Sequence, residues 1–518
     1  MQFFDTHFSI LQFYGLVCGL LFGVCGIIYF LQNKMRASLA FVFLAGLVFR
    51  LIMAEIDPYL NLWDEQYHAL VAKHMMDHPF TPMLYTHPAL YYNPENWASN
   101  HIWLHKQPLF LWQIALSFKI FGVNEFALRL PSAIMSAFTV LLIFRIGKLL
   151  VNERVGWCAA LLFAFSSFNL EVAGGNVNTD HNDLSFMFYV TASIWAWMEY
   201  VQSRKIKWVI LIGVLSGMAI LVKWLTGLLV FSGWFMIIVF DKTKRGQFTY
   251  YKDMLIAFFI TCVVVLPWQI YKSIRFPIES ALEYKQYGLH ITLPLDGHNG
   301  TWFYHFDQLS NQLGPIIPFI IIPGLLILLN GIKERPMKIA FLTFLIIVHL
   351  FFMYVATKMP LLCYFIMPLL FLCLGALLEK VLSSKISIKK LQFLIPFLVT
   401  LIIAFVSLDI DSIEGKHTNR DPQKTYRKMR IRNTEYARRA ATLLPPGEYV
   451  LFNCSRLNSV MVMFYADVTA YDDYPDEETY LDLKKRKLKM AVFVNKELPK
   501  YLAKDPEVIK INLEMSPD

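Results

Sequence analysis

The chain alternates long apolar runs with polar segments of two contrasting kinds. Apolar runs near 20 residues recur at about 10–31, 37–54, 130–149, 156–170, 181–200, 206–221, 224–240, 254–267, 312–331, 338–356, 361–380 and 391–408. A helical run of this length crosses ~30 Å of hydrocarbon. The pattern predicts an all-α polytopic membrane domain of about 12 spans. The first run is too long, and lacks the basic leading segment, to be a cleaved signal peptide.

One set of connections is short and basic: Lys34/Arg36, Arg154, Arg204/Lys205/Lys207, Lys242/Lys244/Arg245, Lys333/Arg335/Lys338 and Lys380/Lys385/Lys389/Lys390. The positive-inside rule assigns these to the cytoplasm. The other set holds two long loops, 55–129 and 268–311, a short turn at 171–180 and the tail 409–518. In the tail, a charged helical stretch over Thr425–Leu444 is broken by Pro445-Pro446-Gly447. Tyr449–Asn453 and Lys489–Asn495 read as buried strands. The expected organisation is a membrane domain, 1–408, carrying both external loops, then a small α/β extracytoplasmic domain, 409–518.

Composition narrows the function. Charged residues make up 17% of the chain, against ~25% in a soluble domain, and the mean hydropathy is +0.45. A soluble enzyme, a fibre and a disordered chain are excluded. The net charge of +9 does not signal nucleic acid: the tail has 19 Lys and Arg against 18 Asp and Glu, so the excess sits in the membrane part. Six of the seven cysteines lie in apolar runs, and no spacing suggests a zinc site or disulfide framework.

Candidate chemistry gathers on the external side, where polar groups at span ends are functional candidates. Asp64-Glu65 opens a segment in which Trp63, Tyr67 and Leu70 share a helical face, as in an interfacial helix. The alternative is ordinary acidic charge in a first helical turn. Lys106 precedes a second amphipathic segment, Leu109–Phe121, and could snorkel to lipid or hold one phosphate. Asn176–Asp183 carries Asp180, His181 and Asp183 at the mouth of a span, where a capped turn is the simpler reading. Asp296–His305 has two histidines among aromatics, and His105 and His298, if brought together, could share a divalent ion. Lys358, in the tight turn Thr357–Tyr364, runs against the charge trend and hints at an anionic partner.

Asp64-Glu65, Lys106-Gln107-Pro108-Leu109 and Phe121–Ser132 together resemble the GT-C membrane glycosyltransferases. The branch is the one holding the bacterial 4-amino-4-deoxy-L-arabinose transferases and the dolichyl-phosphate-mannose protein mannosyltransferases. Thr179-Asp180, Leu221–Gly227, Leu266-Pro267-Trp268, His298 before Trp302-Phe303-Tyr304, and Lys358 with Tyr364 and Pro368 follow in the family's order. The resemblance implies that Asp64 is the catalytic carboxylate and that Lys106 contacts the donor's phosphate. It places Tyr364 near the donor phosphate, His298 near the metal-associated part of the site, and Asp180 or Asp183 in the Asn176–Asp183 cluster; Glu65, Asp180 and Lys358 are further candidates for substrate binding, and His105 with His298 for a divalent metal ion. The chain departs from the aminoarabinose branch in having His105 where that branch has an acid, and Tyr284–Tyr287 where it has an arginine.

The expected function is a glycosyltransferase of the bacterial inner membrane, its site facing the periplasm. Nucleotide sugars are not supplied there, so the donor would be a polyprenyl-phosphate sugar. The acceptor would be a lipid A-like lipid, a protein or another glycan, with inversion by analogy with the family. The competing class is a polytopic transporter or lipid flippase, which should show internal repeats and mid-membrane charges. No repeat is visible.

Overall fold

The computed structural model describes residues 9–175, 181–383, 394–408, 425–445, 448–455, 458–494 and 498–516. They divide into two compact units. The first comprises Met1–Ile56, Arg129–Pro277 and Glu283–Ile413, the second Asp57–Leu128, Ile278–Leu282 and Glu414–Asp518.

The helices, in chain order, are α1 (Ile10–Leu31), α2 (Met35–Glu55), α3 (Asp64–Met75), α4 (Pro108–Phe121), α5 (Glu125–Leu150), α6 (Glu153–Ala164), α7 (Ser167–Ala173), α8 (Asn182–Ser203), α9 (Ile206–Val222), α10 (Leu229–Phe240), α11 (Phe248–Arg275), α12 (Pro277–Thr292), α13 (Tyr304–Leu313), α14 (Ile317–Gly331), α15 (Arg335–Tyr354), α16 (Met367–Leu382) and α17 (Leu394–Leu408). Helix therefore occupies each of the twelve expected stretches. Six helices are long and apolar enough to cross a membrane alone, and eight segments qualify when two bent pairs are each taken as one. The expected count of twelve exceeds this because stretches such as Ile206–Val222 and Leu225–Phe240 are apolar but short.

Polar and small residues shape the first unit. α6 and α7 meet at a 54° bend. Buried Arg50 of α2 donates there to the carbonyls of Phe163 and Ala164 at 3.3 and 3.2 Å, and to Ser136 Oγ at 2.7 Å. The guanidinium satisfies carbonyls that the break removes from the helical ladder, as a charge in a span requires. α5 and α6 approach closely through glycine: a Cβ on Gly156 would stand 2.3 Å from the Phe144 carbonyl oxygen, and one on Gly147 2.5 Å from Gly156 Cα.

The second unit contains α3, α4 and a tail built from α18 (Thr425–Leu443), β1 (Tyr449–Phe452), α19 (Ser459–Ala466), β2 (Thr469–Ala470), α20 (Glu477–Lys485), β3 (Lys489–Phe493), α21 (Lys500–Lys504) and β4 (Ile509–Ile511). The strands form one parallel sheet in the order β2-β1-β3-β4. Its interior strands are short apolar runs, as burial on both faces demands. Val450, Phe452, Met490 and Val492 pack with Leu483, Leu502 and Val508, and Ala89 from the first external loop joins this core.

Two expectations change here. The first external loop clusters with the tail rather than with the spans, because α3 packs against both α4 and α19. For the same reason α3 is not an interfacial helix: Tyr67 and Leu70 are buried inside the unit, and only Trp63 of that face is exposed.

Candidate active site

Asp64 and Glu65 occupy the first turn of α3, where the helix dipole favours acids. The chain enters through Trp63 with a positive φ of 64°. Glu65 turns inward, is 1% exposed, and its Oε2 accepts the Asn61 backbone N–H at 2.5 Å. Asp64 points the other way. Its Oδ2 accepts from Lys106 Nζ at 2.8 Å, with the two side chains 23% and 20% exposed. Lys106 stands just before α4, whose start is set by Pro108. The sequence thus brings together a carboxylate and an ammonium 42 residues apart, both open to solvent, by packing α3 on α4.

Burial would raise the Asp64 carboxyl, but Lys106, with His68 and His105 nearby, outweighs it and holds the group at about 2. His68, one turn along α3, is fully buried with its ring edge-on to Trp103 and Phe110, at 5.7 and 5.2 Å. His105 stacks on Trp97, with centroids 4.7 Å apart and planes 14° apart.

Sequence reasoning missed the supports of this site. Asp57 is fully buried and accepts from Arg427 Nη1 of α18 at 2.6 Å, and Arg427 also donates to the Tyr59 hydroxyl at 3.3 Å. Arg430 donates to the Leu60 carbonyl. Arg438 Nη2 lies 2.6 Å from Glu125 Oε1, which also accepts the Tyr465 hydroxyl at 2.5 Å. Positions 427, 430 and 438 share one helical face, and that spacing was the available signal.

The remaining candidates belong to the first unit. Asp183, in the first turn of α8, is buried and paired with Lys223. Its rival Asp180 lies outside the described residues. Tyr364 is 1% exposed, and its hydroxyl donates to Asn169 Oδ1. Lys358 is buried, and its ammonium donates to the carbonyls of Phe352, Met353 and Val355 at 2.7, 2.9 and 2.6 Å. All three N–H bonds are thereby spent at the end of α15, so Lys358 as placed here caps a helix instead of offering its charge to a ligand. Its backbone N–H donates to the carbonyl of His298, whose side chain is exposed.

Among the described residues, no three His, Cys, Asp or Glu side chains converge as a metal ion requires. His105 stacks on Trp97, and the His298 side chain is exposed.

Residues 105–271 match the family model for dolichyl-phosphate-mannose-protein mannosyltransferase. The undecaprenyl phosphate-alpha-4-amino-4-deoxy-L-arabinose arabinosyl transferase 2 of Pseudomonas fluorescens is 28% identical over 189 residues, 34% of this chain and 32% of that protein. An uncharacterized protein of Aquifex aeolicus is 27% identical over 167 residues, 32% of each. The chain spans about a third of the length of these curated relatives. ArnT from Cupriavidus metallidurans, bound to undecaprenyl phosphate, has a TM-score of 0.61 at 13% identity over 89% of both chains. The apo oligosaccharyltransferase of Archaeoglobus fulgidus has a TM-score of 0.53 at 11% identity, covering 84% of this chain and 65% of that one. The chain is an integral membrane protein with the GT-C fold. Its sequence is similar to the superfamily of aminoarabinose transferases and dolichyl-phosphate-mannose protein mannosyltransferases.

Proposed function

We propose that this protein transfers a sugar from a polyprenyl-phosphate donor to a cell-envelope acceptor, a lipid A-like lipid, a protein or a glycan, on the periplasmic face of the bacterial inner membrane. The observation that carries the reading is the solvent-reachable Asp64–Lys106 pair. It couples a proton acceptor to a cation suited to a phosphate leaving group. The similar aminoarabinose transferases and the undecaprenyl-phosphate-bound ArnT support the donor class.

A carboxylate held at about 2 is a weak base. A donor phosphate that takes Lys106 removes the largest influence holding Asp64 down, and burial then raises it toward a useful basicity. The acceptor's oxygen or nitrogen attacks the anomeric carbon as the carbon–oxygen bond to phosphate breaks. Polyprenyl phosphate departs with the bonding pair beside Lys106, and the acceptor's proton passes to Asp64. One such displacement inverts the anomeric centre.

Lys106→Met is expected to weaken use of the donor about ten- to a hundredfold, the ~1.5–3 kcal/mol of one charged hydrogen bond. Removing Lys106 also raises the Asp64 pKa, so the protonated, inactive form persists to higher pH. Wild type should keep a flat kcat/KM down to the acid limit of its stability. Lys106→Met should lose it on an acid limb at or above the ordinary carboxylate range. Identical donor KM and pH profiles in the two proteins would sink the assignment.

The same reading sets about twelve spans and an extracytoplasmic α/β tail. Helix in all twelve apolar stretches and the six basic connections support it. Glu478 is exposed on α20. In a cysteine-free background, Glu478→Cys should react with a membrane-impermeant thiol reagent in intact spheroplasts. Labelling confined to lysed cells would place the tail inside and remove the donor argument.

A further inference from the structure

A cavity of about 440 Å³ opens in the second unit at the carboxyl ends of β1 and β2. That volume is within the ~300–1,000 Å³ of small-ligand sites, and the carboxyl edge of a parallel sheet is where such ligands bind. One wall is a stack of rings: Tyr471 lies between Tyr85 and Phe452, with centroids 5.4 and 5.5 Å away. Its hydroxyl accepts the backbone N–H groups of Ala89 and Leu90, both at 3.0 Å, which fixes the ring. The opposite wall is Tyr67, stacked on Trp103 at 5.8 Å.

Acids supply the polar lining. Asp472 Oδ1 accepts the Ser459 N–H at 2.9 Å, and Asp473 is exposed at the rim with Asn96. Among the described residues, no lysine, arginine or histidine lines the cavity, although the chain carries a net charge of +9. Phosphates, nucleotides and acidic peptides are therefore disfavoured. Ring edges with carboxylate and amide acceptors suit a compact ligand that has many O–H or N–H donors.

We propose that this cavity binds a saccharide unit of the acceptor, neutral or amino-bearing, and presents it to Asp64; the inference rests on the glycosyltransferase reading. Tyr67 links the two places: it lies three residues after Asp64 on α3, about one turn along the helix. Its phenol is pushed well up by burial and then by the charges of Asp472 and Asp64.

The test uses the full-length protein in nanodiscs with chitobiose, maltose and trilysine as probes, read by saturation-transfer difference NMR. A disaccharide should give a signal with wild type that falls at least fivefold in Asp473→Ala, an exposed position whose variant should melt like wild type, and in Asn96→Ala, which also gives up the 3.1 Å bond that its Oδ1 accepts from the Ala98 N–H and whose melting is measured beside it. The acceptor KM should rise about tenfold in both, with kcat little changed. A disaccharide that itself receives sugar marks a free glycan as acceptor. One that binds and only competes marks a saccharide borne on lipid or protein. No disaccharide signal, signals unchanged in both variants, or a signal from trilysine alone overturns the proposal. Absent disaccharide binding with wild-type transfer intact removes the cavity's role only. Normal transfer by Asp64→Asn removes the catalytic reading whatever the NMR shows.

Discussion

Asp64→Asn is expected to lower sugar transfer at least ~10²-fold while leaving folding and donor binding intact. The substitution keeps the shape of the side chain and a carbonyl oxygen for Lys106, but removes the proton acceptor, whose contribution is typically 10²–10⁴-fold. The neighbouring acid separates catalysis from structure. Glu65 is buried and holds the Asn61 N–H, so Glu65→Gln should lower the melting temperature more than it slows turnover. Substrate binding was expected of Glu65, and its inward orientation argues for a structural role instead. The measurement is the transfer rate of purified protein, with donor binding followed separately. Near-normal turnover by Asp64→Asn would leave Asp64 as helix-start charge.

The second large effect concerns Arg427. Arg427→Met removes one charged partner of Asp57, which has no exposed side-chain surface. Breaking a buried pair from one side costs roughly 3–5 kcal/mol, because a desolvated charge loses an opposite charge held against it. Residues 57–63 should become open to protease and hydrogen exchange, and transfer should fall with them because they lead into Asp64. Adding Asp57→Leu should restore much of the stability, since an apolar pair of similar bulk carries no stranded charge. A double-mutant cycle on melting of the full-length protein gives the coupling. Additive single effects would show that the contact does not hold the loop.

The bundle was legible because membrane helices announce themselves one at a time. Each apolar run needs only its own 20 residues, and β1 and β3 were readable as Tyr449–Asn453 and Lys489–Asn495 for the same local reason. The second unit was not legible as a unit. Ala89 enters the sheet core and Arg427 meets Asp57 across hundreds of positions, and no periodicity records such pairings. Hence the face formed by Trp63, Tyr67 and Leu70 was matched to the membrane surface, when α19 covers α3 instead. Asp64 and Lys106 were individually visible as polar groups in an apolar context, but their roles came from family resemblance. Lys358 shows the opposite case: an unexpected charge hinted at a ligand, and the structure spends it on three carbonyls.

The bonds from Arg427 and Arg430 to Asp57 and Leu60 reach across 370 residues, and this bears on biosynthesis. Chains are made from the N-terminus at roughly 5–20 residues per second, and contacts so distant form late. The loop that carries Asp64 must wait tens of seconds before α18 exists. During that interval Asp57 lacks the Arg427 guanidinium and the Leu60 carbonyl lacks Arg430. On the proposed glycosyltransferase reading, a nascent protein would thus stay idle until the segment 425–443 has been made and has docked, and synthesis itself would time the onset of activity.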